Sequence, residues 1–288
     1  MNPNTQPSGS ARYFFLAFAV AFLGFSLMFL ALANLGFARP AAVPAPIQED
    51  AYSPSPEDSI TVLAMGTAEK GGIPEIFMLV RVNPITGEVP FTVFPPQTMI
   101  TNNGRLEPLS EVYKYGGAQY TKEKLAEELG IAADRYIRVD RAGFITAADA
   151  VGSIEYTLAE DFTVWQLGAE MTLQAGMQLL DGRRLAAILT SAAGGDARAQ
   201  RAGELIASFI NQRIDIFKTV AADGVFEKII NIADSDITYL DYHIRKDAGE
   251  YLARLDYGIA VYIRADFTDE SSFILADTFK AKIAERFG

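Results

Sequence analysis

The sequence contains no cysteine and a single histidine, His243. Without cysteine the chain cannot form disulfide bonds, thiolate zinc sites or a cysteine nucleophile. One histidine also argues against a histidine-rich metal site and against a histidine-dependent catalytic triad. A chain of 288 residues is nevertheless long enough to bury a substantial core by packing alone.

Basic residues are also scarce relative to acidic ones. The chain carries 25 lysines and arginines against 36 aspartates and glutamates, for a formal net charge of −11. A nucleic-acid backbone requires a basic surface, so we expect no nucleic-acid partner. A phosphate ligand held by a local group of arginines remains compatible with this balance.

One long apolar stretch dominates the N-terminal part. Residues 13–37 include no charged side chain, and about 25 residues rising ~1.5 Å each span a hydrocarbon core of ~30 Å. We predict a cytoplasmic tail at 1–12, a transmembrane anchor at 13–38, a spacer rich in proline and alanine at 39–57, and an extracytoplasmic domain at 58–288. A cleaved signal peptide ending near Ala31-Leu32-Ala33 is the alternative.

The remaining sequence alternates between strand-like and helix-like segments. Residues 59–65, 76–82, 89–94, 135–139, 154–158 and 257–263 have strand character. Residues 121–129, 143–151, 181–190, 196–217, 225–232, 238–252 and 272–287 have helical character. This order predicts an α/β fold, a three-layer α/β/α sandwich with a mixed central sheet.

Several other residues receive structural predictions. Asp134 and Asp140 are typical of strand ends or helix caps. Thr98 is predicted to be a turn residue whose side chain hydrogen-bonds its own backbone. His243 is predicted to lie at the surface or to be packed. Loops are predicted at 113–117, which includes Tyr113 and Tyr115, and around Trp165, which is also a candidate for lining an apolar tunnel.

Five strings in the exported part, in this order, resemble the LytR-CpsA-Psr family of cell-envelope proteins. They are MLVRVNPITGEV from Met78, YKYGG from Tyr113, EELGIAADRYIRVDRAGFITAADAVGSIEY, LQAGMQLLDGRRLAAILT, and the pair Arg198 and Arg201. The similarity covers residues 59–240. It implies a domain outside the membrane that transfers a glycopolymer from a polyprenyl-pyrophosphate carrier, with arginines on the pyrophosphate, aspartates on Mg²⁺ and an apolar tunnel for the lipid.

The strings that would carry this chemistry depart from the family pattern. After the first strand, Gly66-Thr67-Ala68-Glu69-Lys70 stands where the family has Gly-x-Asp-x-Arg. The other replacements are Ile73-Pro74-Glu75 for Arg-x-Asp, Pro95-Pro96-Gln97-Thr98 for Pro-Arg-Asp-Thr, and Thr190 with Ala192 for Arg-x-Arg. Each lost charge costs a transition state about 3–4 kcal/mol, so these departures predict weak or absent transferase activity.

The surviving candidates form a short set. Arg198 and Arg201, three residues apart on a predicted helix, are candidates for pyrophosphate binding, together with Lys70 in a glycine-rich loop. Glu75 and Gln97 are candidate oxygen ligands for Mg²⁺. For each of them the alternative is a solvated surface role.

Three functions therefore remain open. The first is glycopolymer transfer in cell-envelope assembly, with a polyprenyl-linked glycan or another anionic envelope polymer as partner. The second is a non-catalytic envelope module that binds such a glycan or supports an active paralogue. The third is an unrelated tethered α/β protein. Convergence of Lys70, Glu75, Arg198 and Arg201 on one pocket would favour phosphate chemistry, and an apolar tunnel would argue against the third.

Overall fold

A computed structural model describes residues 52–166, 169–190, 195–269 and 271–288. The predicted tail and anchor, and most of the predicted spacer, lie outside these residues. Among the helices that the structure describes, none has the length and apolar character needed to cross a bilayer.

Twelve strands and eight helices make up this described part. The strands are β1 Ile60–Thr67, β2 Pro74–Val82, β3 Val89–Phe94, β4 Met99–Asn102, β5 Arg105–Pro108, β6 Arg135–Asp140, β7 Ile154–Leu158, β8 Phe162–Gln166, β9 Ala169–Leu173, β10 Gly176–Leu180, β11 Asp234–Ser235 and β12 Ala260–Tyr262. The helices are α1 Leu109–Leu129, α2 Arg141–Val151, α3 Gly182–Leu189, α4 Gly195–Arg213, α5 Ala221–Ile232, α6 Tyr239–His243, α7 Lys246–Ala253 and α8 Asp277–Phe287. Short 3-10 turns occupy Pro56–Asp58 and Ile214–Lys218.

The central sheet has six strands in the order β11-β6-β1-β2-β3-β12. Strand β1 runs parallel to β6 and antiparallel to β2, while β3 runs antiparallel to β2 and parallel to β12. The predicted mixed sheet is therefore confirmed. Three two-stranded ribbons, β4-β5, β7-β10 and β8-β9, lie outside it.

Alternation along β1 assigns its side chains to the two faces of the sheet. Leu63 and Met65 are buried in the largest core cluster, where they pack with residues of α1 and α8 such as Leu125 and Ile283. The intervening residues of β1 face the other way and are only partly buried. This second face carries the candidate site.

Helix α4 covers part of that second face. Its Ala199 and Ala202 pack with Phe91 and Val93 of β3, and Ile206 joins the same cluster. Small residues at these positions let the helix approach the sheet closely. Helices therefore flank both faces of the mixed sheet, as predicted.

Aspartates fix several of the junctions. Asp140 ends β6 and caps α2 by accepting a hydrogen bond from Gly143 N at 2.7 Å. Asp134 precedes β6 and accepts one from Thr61 N of β1 at 2.7 Å. Asp181 caps α3 in the same way. The capping and strand-end predictions for Asp134 and Asp140 are confirmed.

Two loop predictions are wrong, and the turn prediction for Thr98 is confirmed only in part. Residues 113–117 belong to α1, which begins at Leu109 and kinks only at Gly117, where φ is +74°. Trp165 lies in β8, opposite Glu170 of β9. Thr98 does close a turn, in which its N–H donates to the carbonyl of Pro95 at 3.0 Å. Its side chain is fully buried, and Oγ1 has no hydrogen-bond partner among the described residues, so the predicted side-chain bond to its own backbone is wrong.

The C-terminal elements are more broken than the sequence pattern predicts. The segment 238–252 forms two helices, separated at Ile244 and Arg245. The predicted strand at 257–263 shortens to β12, and the last helix begins only at Asp277. The residues just before it bridge to other backbone segments, Ile274 to Met99 and Leu275 to Phe267. These long-range hydrogen bonds compete successfully with local helix formation.

Candidate ligand-binding site

An apolar cavity of about 250 Å³ lies between the second face of the sheet and the helices. Ala64 and Met78 form part of its floor, and Phe144, Leu189 and Ile206 form part of its roof. These side chains come from β1, β2, α2, α3 and α4. The cavity can therefore take an aliphatic group, as expected for a tunnel between sheet and helix layer.

Gly66 has no side chain, and this leaves space in the cavity directly above β1. A methyl group on Gly66 would lie only 2.7 Å from Ile76 Cγ2 on the neighbouring strand. The register of β1 against β2 also shifts between Gly66 and Thr67, at the end of the pairing. A larger residue here would push against Ile76 and reduce the space above the sheet.

An ion pair stands among the lining residues. Arg198, in the first turns of α4, donates from Nη2 to Glu75 Oε2 at 3.1 Å and from Nε to the carbonyl of Leu189 at 3.0 Å. The side chains of Arg198 and Glu75 are 24% and 42% exposed. An ion pair this exposed contributes only ~0–1 kcal/mol, so an anionic ligand could compete for the guanidinium.

A second arginine, Arg141, also lines the cavity. It is the first residue of α2, and its Nε is buried without a hydrogen-bond partner among the described residues. A buried donor left unpaired costs about 1–3 kcal/mol, which an acceptor oxygen from a ligand would recover. Sequence analysis missed Arg141, although a basic residue directly after a strand end and cap was visible in the string VDRAGF.

The other predicted phosphate ligands lie elsewhere. Lys70 is exposed in the turn after β1, which closes by a hydrogen bond from Gly72 N to Glu69 O. Arg201 places its guanidinium 5.2 Å from the ring centroid of Phe162. Neither is among the residues lining the cavity. Of the four residues expected to converge, the structure brings together only Glu75 and Arg198.

The residues at the cavity do not fit a Mg²⁺ site made by the protein. Its two carboxylates are already engaged, Glu75 with Arg198 and Asp140 with the backbone of Gly143. Gln97 is exposed after β3 and is not among the lining residues. Within the described part of the chain, no three His, Cys, Asp or Glu side chains group as a metal ion requires. We therefore assign no chemical step to a metal.

A second apolar cavity, of about 350 Å³, continues along the same face of the sheet. Its floor contains Ile60 and Val62, the residues of β1 that precede Ala64 and Gly66 on that face. On α4, Ile206 lines the first cavity and Ile210, one turn later, lines the second. Six residue steps from Ile60 to Gly66 correspond to ~20 Å of strand, so the two cavities together lie along that length of β1.

Together these features define a class of binding domain. A mixed sheet flanked by helices encloses apolar space, and two arginines, Arg141 and Arg198, are among the residues that line it. The chain matches the model of the LytR_cpsA_psr family over residues 33–251 and belongs to that family.

Individual relatives agree with this assignment. The chain is 26% identical over 192 residues to a polyisoprenyl-teichoic acid–peptidoglycan teichoic acid transferase, TagU of Bacillus licheniformis, covering 64% of this chain and 62% of that protein. The match therefore spans less than two thirds of the relative. A candidate transcription regulator from Eubacterium siraeum has a similar fold, with TM-score 0.74 and 17% identity over 86% of this chain and 98% of that one. Bacillus subtilis TagV gives TM-score 0.65 and 20% identity over 81% and 97%.

Proposed function

We propose that this protein binds a polyprenyl-pyrophosphate-linked glycan and takes part in its transfer to the cell wall. The observation that carries the proposal is the apolar cavity whose lining includes Arg141 and Arg198. The cavities would hold the start of the isoprenoid chain, and the guanidinium groups would hold the pyrophosphate. Guanidinium forks suit phosphate oxygens because they donate two parallel hydrogen bonds.

The same proposal includes the location of the domain. Residues 13–37, uncharged throughout, would anchor the chain in the cytoplasmic membrane with the N-terminus inside and the domain outside. The TagU relative is named for acting on polyisoprenyl-linked teichoic acid and peptidoglycan, both of which suit that location. A reporter enzyme that is active only outside the cytoplasm should be active when fused to the C-terminus. Activity of a reporter that works only in the cytoplasm would contradict the proposed location of the domain.

In the transfer step a hydroxyl oxygen of the wall acceptor attacks the sugar-proximal phosphorus. The bond from that phosphorus to the bridging oxygen breaks, and polyprenyl phosphate leaves. Arg141 and Arg198 would stabilise the charge that develops on the phosphate oxygens. Glu75, released from Arg198 when the pyrophosphate binds, would accept the hydroxyl proton.

We also propose a second candidate function, a non-catalytic module that binds the same glycan without transferring it. Lys70 and Arg201 do not line the cavity, so fewer cations surround the pyrophosphate than the family resemblance implies. Removing one electrostatic donor typically lowers kcat by about 10²–10³. Binding without turnover is the outcome that this function predicts.

One experiment separates the two. The full chain in detergent is mixed with a polyprenyl-pyrophosphate-linked glycan and a peptidoglycan acceptor, and both ligand binding and release of polyprenyl phosphate are measured. Binding with release supports transfer, and binding without release supports the module. Absence of binding would contradict both. Arg141→Met, which removes one of the lining arginines, should weaken binding. Arg254→Met is its matched control, because that arginine is 71% exposed and pairs with Glu250 one turn earlier on the helix.

A further inference from the structure

Helix α6 presents an apolar surface to solvent. Tyr239, Leu240 and Ile244 are 56%, 65% and 51% exposed, although all three are large hydrophobic residues. Tyr239 and His243 stack, with ring centroids 6.0 Å apart and planes 14° apart. Residues 239 and 243, and residues 240 and 244, are each four apart and share one side of the helix. We call these four residues the α6 face.

The body of the domain holds this helix firmly. Asp241, on its inner side, is buried and accepts hydrogen bonds from Thr238 N and Oγ1 at 2.8 and 2.7 Å. Arg135 of β6 donates to the same carboxylate from Nε and Nη2 at 2.9 and 3.0 Å. A helix of five residues is not stable alone, so these contacts fix its orientation and keep the α6 face outward.

The α6 face lies next to the point where the chain enters the domain. Arg245, directly after Ile244, donates to the carbonyl of Ser59 at 3.4 Å. The rings of Tyr52 and Tyr251 are 5.6 Å apart, so the first described residues run beside α7. Fourteen residues, 38–51, separate Tyr52 from the uncharged stretch that ends at residue 37. Fully extended at ~3.3–3.6 Å per residue, such a linker spans roughly 50 Å, so a bilayer that held that stretch would lie within about that distance of Tyr52.

The chemistry of the α6 face suits a lipid surface. Leucine and isoleucine supply apolar area, while tyrosine and histidine are amphipathic rings of the kind that occupy the headgroup boundary. No lysine or arginine belongs to the face, so apolar burial rather than attraction to anionic lipids would drive the contact. Isolated exposed apolar residues need no explanation, but a continuous and rigidly held group beside the first described residues does.

We propose that the α6 face rests in the interfacial layer of the membrane; this inference depends on the membrane anchor in the proposed function. Ile237, Asp241 and Tyr242, which line the second cavity, lie on or next to the same helix. The contact would therefore hold the second cavity close to the bilayer, where lipid-linked substrates reside.

The absence of native cysteine permits a direct test with single labels. The full chain carrying Leu240→Cys, labelled with an environment-sensitive fluorophore, is placed in phosphatidylcholine nanodiscs with or without brominated acyl chains. The control is Met177→Cys on β10, which is 72% exposed and equally apolar. We expect severalfold stronger quenching at position 240 than at 177, unchanged by added salt.

Ile244→Glu in the Leu240→Cys background should reduce the quenching, because a carboxylate is disfavoured in the apolar layer, while circular dichroism stays that of the parent. Equal quenching at 240 and 177, or quenching abolished by salt, would overturn the inference. So would an unquenched label at 240 in a chain that co-purifies with the nanodiscs, and the anchor would then still stand. A chain that does not enter nanodiscs at all would refute the anchor and this inference together.

Discussion

Replacing Arg141 with methionine tests whether its guanidinium binds the pyrophosphate of the ligand. The substitution keeps an unbranched, apolar side chain in the wall of the first cavity and removes only the guanidinium. A hydrogen bond to a charged group contributes ~1.5–3 kcal/mol, so affinity for farnesyl pyrophosphate should fall about 10- to 100-fold.

The stability of the unliganded protein should respond differently. Because Nε of Arg141 is buried without a partner among the described residues, its removal relieves a cost of ~1–3 kcal/mol. Arg141→Met should therefore unfold at the same denaturant concentration as the parent or at a higher one. Residues that are needed for binding commonly lower the stability of the unliganded protein in this way.

Isothermal titration of the full chain measures the affinity, and urea denaturation measures the stability. Farnesol serves as the ligand control, since it lacks the pyrophosphate and should bind both proteins equally. Arg254→Met serves as the protein control. An affinity for farnesyl pyrophosphate unchanged within twofold, or an equal loss for farnesol, would refute the role assigned to Arg141.

Three further predictions concern the site and its scaffold. Glu75→Gln removes the carboxylate that competes with the ligand for Arg198. Titration should therefore show up to about fivefold tighter pyrophosphate binding, as expected for an ion pair of ~1 kcal/mol, and release of polyprenyl phosphate should be lost. Weaker pyrophosphate binding would contradict the pairing of Glu75 with Arg198. Gly66→Ala forces Ile76 to move and should cost ~1–3 kcal/mol in urea denaturation and weaken farnesol binding, whereas an unchanged protein would contradict the close packing. Burial raises the pKa of Asp241, but hydrogen bonds from Arg135 and Thr238 outweigh burial and lower the pKa to about 2. The stabilisation by the Asp241 carboxylate is therefore present above about pH 4 and lost towards pH 2, so Asp241→Asn should cost ~2 kcal/mol in the free energy of unfolding at pH 7 and little at pH 2. An equal cost at both pH values would contradict this role of the carboxylate.

Much of the fold follows from local sequence patterns. The signals that predict these elements involve residues close together in the sequence. They are the alternation in β1 and β2, the aspartates at the starts of α2 and α3, and the glycine after α1. The misplaced elements depend on distant contacts instead. The bridge from Ile274 to Met99 delays the start of α8, and no local pattern encodes that pairing.

The candidate site was only partly predictable for a similar reason. Arg198 and Glu75 are 123 positions apart and meet because α4 packs on the face of the sheet that includes β2. Comparison with family strings identified both residues but also selected Lys70 and Arg201, which lie outside the cavity lining. It passed over Arg141, because the basic side chain stands outside the charged strings used for the comparison. Which guanidinium groups reach the cavity depends on packing between helices, which sequence spacing does not specify.

The space between sheet and helices is proposed to hold the lipid of a pyrophosphate-linked carrier. The most direct test is photo-crosslinking with a polyprenyl pyrophosphate whose isoprenoid bears a diazirine, followed by peptide mass spectrometry. Adducts should map to Met78, Phe144 and Ile206 and disappear with excess unlabelled ligand. Competable adducts that map instead to the opposite face, at α1 or α8, would contradict the account.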